Sequence, residues 1–439
     1  MGIEYGEKRS PFIDYGRPSL FLDFAKRKSL VDAISKNNLI TFTRSSTGTY
    51  VGADGYIKTA AADEPRFDHD PETGESLGLL IEEQRTNLFT YSAFPQSTTT
   101  SFPIGWGPWN PATFLTSQTL SPDGVVYGVF HGAVNQNGGG LRKDITGLTP
   151  GGTYYVSYYV KGLTAEEVTY FTNNNAIGTT TGTANGAQDV AWFAATKVQF
   201  ACINLNGTGA SGASAITLTT EWQRFGGVIT ADSAGSARII IGNNVGDVGT
   251  GNEDGGGTWM IWGAQTEIGS FPTSFIPTTS SAVTRQPDTA SITGTNFTDW
   301  YNTTEGTIFT ESNIYSLESS QNFTEFQIDD GTQTNRIFHY FANSNEAAKF
   351  QAWGLDVSTQ DNSAIVNTDL KHASSYNSSS YITCLNSSLS STGTTGTQVA
   401  LNEAHIGYNH FNNYLNGHIK QLLYYPTRLT NTQLQALTQ

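Results

Sequence analysis

The stretch Leu79–Phe89, LLIEEQRTNLF, joins a short apolar run to a dense block of charged and amide side chains. The apolar run suits burial, and Glu82, Glu83, Arg85 and Asn87 follow it almost without a gap. Charges and amides that are buried must be paired, because each unsatisfied group costs about 1–3 kcal/mol. We therefore interpret these four residues as an assembly seam that pairs within or between subunits. The chain before the seam is expected to attach, and the chain after it to be displayed.

The composition predicts an all-β fold. With 439 residues the chain is too long for one core, so two or three domains are expected. Aromatic residues make up 12% of the sequence, which argues against disorder, and only 14% of residues are charged. Many Thr, Ser, Asn and Gly residues among the aromatics are typical of short strands joined by polar turns.

Charge and patterning exclude several classes of protein. The net charge of −15 argues against nucleic-acid binding, which needs clustered Lys and Arg. No apolar run is long enough for membrane insertion, and the N-terminus does not resemble a signal peptide. Cys202 and Cys384 lie far apart, so both are predicted to be buried free thiols, as expected for synthesis in a reducing cytoplasm.

Local signals place several turns and caps. Asp54-Gly55 between apolar residues predicts a hairpin, and Asn416-Gly417 predicts a second one of type I′. Thr430 or Asn431 is expected to cap a short C-terminal helix. We divide the chain into residues 1–92, 93–285 and 286–439.

Four blocks near the N-terminus stand out: FTRSSTGTYV at 42–51, Asp54-Gly55, PRFD at 65–68 and GLLIEEQRTNL at 78–88. In their order and spacing they resemble a module of tailed-bacteriophage tail-fibre, spike and head-fibre polypeptides, and the similarity spans residues 39–92. This resemblance implies a virion structural role in which residues 1–92 form an attachment module with an extended or β structure. It implies virion localisation and other virion proteins (tail, portal-adaptor or capsid) as partners.

Two further resemblances cover the rest of the chain. WQRF at 222–225, WGAQTE at 262–267, PTSFIPT at 272–278 and VTR at 283–285 resemble jelly-roll carbohydrate-binding modules of phage fibres. EGTIFTE at 305–311 and the segment 404–425 resemble laminin-G-like, concanavalin-type sandwiches. They imply two successive β-sandwiches and a host cell-surface glycan as ligand.

Sugar binding needs flat aromatic faces beside amide and carboxylate groups. Trp106, Trp109 and Asn110 lie in GWGPWN, where Gly and Pro favour an exposed loop. Trp192 and Trp353 are further candidates. The alternative for these tryptophans is that at least one fills the end of a sandwich core.

Catalysis is not expected. Concanavalin-type glucanases need two carboxylates flanking the scissile bond, and their Glu-x-Asp-x-Glu strand signature is absent. The nearest candidates are Glu325, Asp329 and Asp330, of which the last two read as a turn with Gly331. Gly-x-Ser-x-Gly and His-Glu-x-x-His motifs are also absent. A glycan depolymerase is therefore a weaker alternative.

No metal site or cofactor is expected. The seven histidines do not cluster in the sequence, and His69, between two aspartates, reads as a solvated and paired loop residue. Asp247, Glu253 and Asp254 are the candidate ligands for a structural calcium ion, but a Gly-rich loop explains that segment without one.

Taken together, the sequence predicts a non-enzymatic phage virion protein, a tail fibre, spike or head fibre, that adsorbs to host glycans. The fibre resemblance favours a homotrimer, and without a coiled coil the sandwiches themselves would make the contacts. The alternative is a capsid decoration (cement) protein without host recognition.

Overall fold

The chain is all-β in a computed structural model, as the composition predicted. The structure describes residues 15–93, 105–109, 113–116, 119–125, 130–133, 139–167, 169, 197–203, 210–243, 258–315, 322–332, 334–342, 347–353, 357–358 and 366–439. The first elements along the chain are β1 Leu20–Asp23, α1 Phe24–Arg27, β2 Thr41–Thr43, β3 Gly48–Val51, β4 Ile57–Ala60, β5 Phe67–His69 and β6 Ser76–Ile81.

The middle of the chain contributes twelve strands. They are β7 Arg85–Asn87, β8 Gly107–Trp109, β9 Thr113–Thr116, β10 Phe130–Ala133, β11 Gly139–Thr146, β12 Thr153–Gly162, β13 Lys197–Ile203, β14 Ala210–Thr217, β15 Gln223–Thr230, β16 Ser236–Asn243, β17 Thr258–Ile268 and β18 Val283–Arg285.

The last part of the chain returns to long strands and ends in a helix. Its elements are β19 Thr289–Thr293, α2 Thr295–Thr298, β20 Gly306–Ile314, β21 Phe323–Asp329, β22 Arg336–Phe341, β23 Ala348–Ala352, β24 Val357–Ser358, β25 Leu370–Tyr376, β26 Ser380–Leu385, β27 Ser388–Leu389, β28 Gly393–Thr394, β29 Glu403–Ile406, β30 Gly417–Tyr425 and α3 Asn431–Leu437.

The chain forms two compact units, and their boundaries differ from the predicted domains. Unit 1 consists of residues 1–84 together with 286–439, and unit 2 of residues 85–285. The region 1–92 is therefore not a compact unit of its own, and 286–439 is only part of one. The reason is strand pairing, because β1 and β6 both pair with β30, and β2 pairs with β19.

Unit 1 is a sandwich of two antiparallel sheets. One sheet runs β27-β26-β25-β20-β30-β6-β5, with β1 also on β30 and β28 also on β26. The other runs β2-β19-β29-β21-β22-β23-β24. Their inner faces share one hydrophobic core, to which the first sheet contributes Ile308 and Leu422, and the second contributes Phe326 and Ile406.

Unit 2 is a second sandwich. Its sheets run β15-β12-β17-β10-β9 and β14-β13-β16-β11-β8, and β7 pairs with β18 in a separate ribbon. The core between the sheets contains Tyr158 and Trp259 from the first sheet and Leu141 and Ile239 from the second.

The local signals have mixed outcomes. The Asp54-Gly55 hairpin is confirmed as β3 paired with β4. The helix cap at Thr430 is confirmed as a capping box, and both cysteines are free and buried. The Asn416-Gly417 hairpin is wrong, because β30 begins at Gly417 and pairs there with β20 and β6. A Cβ at Gly417 would overlap the Asn313 carbonyl oxygen, so the glycine permits a close strand approach.

Candidate functional site

The predicted seam residue Glu82 belongs to a buried ion cluster in unit 1, which we define as Arg44, Arg66, Glu82 and Asp288. All four side chains are fully buried. Arg66 pairs with Glu82 at 2.8 Å and also with Asp288, and Arg44 pairs with Asp288 at 3.0 Å. Burial opposes the charge of Arg66, but Asp288 and Glu82 outweigh it and raise the pKa of the guanidinium. Two cations and two anions therefore balance within the cluster.

Backbone groups complete the buried ion cluster. Arg66 donates to the Thr49 carbonyl at 2.9 Å, and the Glu82 backbone N–H donates to Asp288 at 2.9 Å. Gly48 makes room for the guanidinium groups, because a Cβ there would lie 2.9 Å from Arg44 Nε. The cluster is thus built by the backbone of several segments, as well as by ion pairs.

The remaining seam residues also have partners within the chain. The Glu83 N–H donates to Asn416 Oδ1 at 2.9 Å, and Asn416 Nδ2 donates back to Glu83 Oε2 at 3.2 Å. In unit 2, the Arg85 guanidinium lies 4.7 Å from the centre of the Phe271 ring. Asn87 is fully buried and binds four backbone groups, the carbonyls of Ala264 and Ile276 and the N–H groups of Phe89 and Thr266. A role of these residues between subunits stays a prediction.

Two of the tryptophans predicted to bind sugar are buried, and the side chains of the other two lie outside the described residues. Trp106 and Trp353 are only 6% and 8% exposed and lie in the two cores, so they offer no face to a sugar, which corrects the prediction for both. Trp109 ends β8, but its side chain lies outside the described residues, as do Asn110 and Trp192. The calcium candidates at 247, 253 and 254 also lie outside them.

The structure brings histidines together that the sequence keeps apart, so the expectation that they do not cluster is wrong. Among the residues that the structure describes, two groups form in unit 1, and both use strand β21. We call Glu325, His339 and His372 the interior triad. We call Asp329, Glu403, His405 and His410 the outer cluster.

The interior triad lies between the two sheets and is fully buried. Glu325 comes from β21, His339 from β22 and His372 from β25 of the facing sheet. The two imidazole rings stack with centroids 3.6 Å apart. His372 Nδ1 lies 2.5 Å from Glu325 Oε2, and the hydroxyls of Thr310 and Ser312 donate to Glu325 Oε1 at 2.6 and 2.7 Å.

Hydroxyl groups close the interior triad into a ring of hydrogen bonds. His339 Nε2 lies 3.0 Å from Thr310 Oγ1, and His339 Nδ1 lies 2.9 Å from Ser374 Oγ. Ser374 Oγ lies 2.7 Å from Thr383 Oγ1, which is 2.6 Å from His372 Nε2. One direction of donation satisfies every atom, with both imidazoles neutral and a proton on Glu325 donated to His372.

The pKa shifts agree with this assignment. Burial raises the pKa of Glu325 above its ordinary value, against the opposing effects of His339 and the two hydroxyls. Burial lowers the pKa of His372 to about 3 and that of His339 well below its ordinary value. The interior triad is therefore a neutral polar network within an apolar core.

The outer cluster lies on the opposite face of the same sheet. On the paired strands β21 and β29, Ile328 and Ala404 point into the core, so Asp329 and Glu403, which stand opposite each other, point away from it. His405 follows two residues after Glu403 and shares this face. His410 comes from the loop after β29 and is 37% exposed.

The four side chains of the outer cluster converge on one point. His405 Nε2 lies 3.4 Å from Asp329 Oδ2 and 3.9 Å from Glu403 Oε1. His410 Nε2 lies 3.0 Å from Glu403 Oε1 and 3.5 Å from Asp329 Oδ1. The four ligand atoms all lie within 4.8 Å of one another. Nitrogen and carboxylate oxygen in this arrangement are the donor set of a transition-metal site.

Two of the buried polar atoms at this cluster make no hydrogen bond to any residue that the structure describes. They are His405 Nε2 and Gln327 Oε1, and His405 and Gln327 are 2% and 0% exposed. Asp329 itself accepts from Gln327 at 2.6 Å and from the Gly331 N–H at 2.7 Å. Burial opposes ionisation of Asp329, but His405, Gln327 and Gly331 outweigh it and lower its pKa.

One signal for these clusters was present in the sequence. Glu325, Gln327 and Asp329 alternate with apolar residues, as do Glu403 and His405. Polar alternation places Gln327 and Asp329 on one face of β21 and Glu403 and His405 on the same face of β29. The register of β21 shifts at Glu325, so that side chain points to the interior instead. Asp329 was expected in a turn with Asp330, but it is the last residue of β21 and is fully buried.

No protein-family model matches the chain, and no curated protein is similar to it in sequence. Among solved structures, the CBM40 of the Ruminococcus gnavus IT-sialidase bound to α2,6-sialyllactose is 14% identical, with a TM-score of 0.26, over 31% of this chain and 85% of that chain. The CBM22-1–CBM22-2 tandem of Paenibacillus barcinonensis Xyn10C is 8% identical, with a TM-score of 0.28, over 79% and 97%. Domain 4 of AbnA, a GH43 extracellular arabinanase from Geobacillus stearothermophilus, in complex with arabinotriose, is 14% identical, with a TM-score of 0.29, over 39% and 81%. At these TM-scores the similarity says nothing about what this chain binds.

Within the described parts of the chain, no helix has the length and apolar character needed to cross a membrane.

Proposed function

We propose that this chain is a non-catalytic structural protein of a phage virion, of the fibre or spike type, that binds host-surface glycans. The observation that carries the proposal is the buried ion cluster. Arg44, Arg66 and Glu82 each come from a different block of the phage-fibre resemblance, and all three converge with Asp288.

This convergence supports the resemblance because residues from the separate blocks meet in one buried ion cluster. The cluster is a physical reason for the blocks to occur together. A buried cation that loses its partner costs about 3–5 kcal/mol, so each block needs the other two. Gly48, in the first block, leaves the space that the guanidinium of Arg44 occupies. The blocks are thus parts of one folded structure, as expected for a module shared by related proteins.

Glycan binding is supported by a half-buried aromatic and polar patch on unit 2. On the face of β12 that points away from the core, Tyr155 and Tyr159 are half-buried. The Arg224 guanidinium lies 5.6 Å from the centre of the Tyr159 ring and donates to Ser157 Oγ at 2.9 Å. Aromatic faces beside fixed polar groups are what saccharides stack on and bind. A non-catalytic role is supported by Glu325, since a fully buried carboxyl group cannot reach a glycosidic bond.

The glycan proposal is tested by applying the full-length protein to an array of bacterial surface polysaccharides. Binding to a defined saccharide is expected, and Tyr155→Ala or Trp109→Ala should weaken it. Tyr56→Ala, at a half-buried tyrosine in the β3–β4 turn of unit 1, is the matched control and should bind as the wild type does.

Failure to bind any saccharide would favour the alternative of a capsid decoration protein. Release of reducing ends from a bound polysaccharide would instead identify a depolymerase and overturn the non-catalytic proposal.

The virion role is tested separately. Immunogold labelling with an antibody against residues 15–92 should mark the head vertex, tail or baseplate, and unlabelled particles would contradict attachment. Light scattering should give a trimer mass for the purified chain. We expect Arg85→Ala to reduce incorporation into particles, and normal incorporation would show that Arg85 serves only the fold of unit 2.

A further inference from the structure

We propose that the outer cluster is a binding site for a divalent transition metal, with Zn²⁺ as the ion that fits best. Its ligands would be Asp329, Glu403, His405 and His410. This site is independent of the proposed virion role, and it departs from the expectation of no metal site.

The spacing of the ligand atoms fits tetrahedral coordination. Zn–N and Zn–O bonds of about 2.0–2.2 Å in a tetrahedron place neighbouring ligand atoms roughly 3.3–3.6 Å apart. The four histidine–carboxylate separations are 3.0, 3.4, 3.5 and 3.9 Å. Asp329 faces His405 with Oδ2 and His410 with Oδ1, and one ligand atom from each of the four residues lies within 4.8 Å of the others. Side-chain rotations at the site would therefore bring one atom from each residue to coordination distance.

His405 provides the independent evidence for a ligand. Its Nδ1 lies 3.0 Å from the Tyr408 hydroxyl oxygen, and a donated Nδ1–H leaves a lone pair on Nε2. That Nε2 is buried, makes no hydrogen bond among the described residues and faces a carboxylate oxygen of Asp329 at 3.4 Å. Two electron-rich atoms at this distance repel unless a proton or a metal ion lies between them.

The surrounding contacts match those of known metal ligands. A histidine that binds metal through one nitrogen usually donates its other N–H to a neighbouring acceptor, which fixes the ring. Tyr408 is placed to be that acceptor for His405, with its hydroxyl oxygen 3.0 Å from Nδ1. Gln327 and Gly331 hold Asp329 in the same way, and each carboxylate oxygen keeps a second lone pair for an ion.

The site would join the loop that carries His410 to the sheet. Its two carboxylates come from paired strands, whereas His410 lies in the connection between β29 and β30. Four protein ligands leave no open position, which is typical of structural zinc sites.

The experiment uses the untagged full-length chain, freed of metal with a chelator and then dialysed. Titration with Zn²⁺ alone, followed by calorimetry, should show one ion bound per chain, and Co²⁺ should give the visible absorption of a tetrahedral site. Zn²⁺ should also raise the Tm, because an ion that binds only the folded state stabilises it.

Variants identify the ligands. His410→Asn and Glu403→Gln alter partly exposed side chains and should each weaken Zn²⁺ binding at least tenfold with an unchanged circular dichroism spectrum. Tyr408→Phe should weaken it about 10–100-fold, as expected for a positioning residue. Asp330→Asn, at a partly exposed neighbouring carboxylate, is the control and should bind normally. Absence of stoichiometric Zn²⁺ binding, or unchanged binding by both ligand variants, would overturn the proposal.

Discussion

The interior triad and the outer cluster use the same side-chain chemistry and the same strand, yet they differ in what surrounds each nitrogen. In the interior triad, hydroxyls and Glu325 give every imidazole nitrogen a partner. In the outer cluster, His405 Nε2 has no hydrogen-bond partner, and His410 is partly exposed. Histidines beside carboxylates thus become a core network or a ligand site according to whether neighbouring hydroxyls complete their hydrogen bonds.

The largest expected effect comes from breaking the interior triad. Glu325→Ala removes the acceptor for Thr310 and Ser312 and the partner of His372, and it leaves a cavity. We expect a loss of about 3–5 kcal/mol in the free energy of unfolding. Urea-induced unfolding, monitored by hydrogen exchange of the β21 amides, would measure this loss of stability for unit 1.

Glu325→Gln is the matched variant, because its amide keeps an acceptor for the hydroxyls and a donor for His372. It should cost no more than about 1 kcal/mol. A cost for Glu325→Gln as large as that for Glu325→Ala would contradict the neutral ring.

The next-largest expected effect is a dependence of the stability of unit 1 on pH. In unfolded chains His339 and His372 bind protons below about pH 6.5, whereas in the folded state they stay neutral because their pKa values are lowered, that of His372 to about 3. The contribution of these two neutral histidines to the free energy of unfolding is therefore lost as the pH falls below about 6.5. Glu325 acts in the opposite sense, because its raised pKa lets the folded state keep a proton that the unfolded chain has released above about pH 4.5.

Between about pH 4.5 and 6.5 the unfolded state binds protons on both histidines and the folded state keeps one on Glu325, so the two effects oppose each other. Glu325→Gln removes the effect of Glu325 alone. The wild type should therefore lose stability relative to Glu325→Gln as the pH rises above about 4.5, until Glu325 ionises. Urea midpoints that stay parallel for the two proteins from about pH 4.5 to 8 would contradict the proton on Glu325.

The smallest effect is expected in the outer cluster without metal. His410→Asn should change the free energy of unfolding by less than about 0.5 kcal/mol in the presence of chelator, because the side chain is partly exposed. Added Zn²⁺ should then stabilise the wild type but not the variant. An equal stabilisation of both would remove the distinction between the two clusters.

Much of the fold follows from local patterns in the sequence, but the histidine clusters do not. The Asp54-Gly55 hairpin and the Thr430 cap depend on residues within a few positions, so sequence signals were sufficient. His339 and His372 meet because β22 and β25 lie in facing sheets. That contact depends on the sheet order and register of the whole unit, which single-strand patterns do not specify.

Contacts between residues far apart in the sequence also explain why the predicted N-terminal boundary differs from that of unit 1, and why Trp106 was predicted to be exposed. The blocks at 42–51, 65–68 and 78–88 were recognised, but their partner Asp288 lies about two hundred residues away. The Trp106 loop was predicted to be exposed because Gly and Pro surround it. Trp106 is instead buried against Phe89, with ring centroids 5.3 Å apart, and this packing cannot be inferred from its sequence neighbours.

The position of β30 also imposes an order of events during synthesis. β1 and β6 leave the ribosome early, but their common partner β30 is made several hundred residues later. At about 5–20 residues per second this is a wait on the order of tens of seconds. Unit 2, which is continuous in sequence, is fully synthesised during that interval. A chain truncated before Gly417 would leave β1 and β6 without their shared partner, and exposed strand edges of this kind tend to pair with other chains.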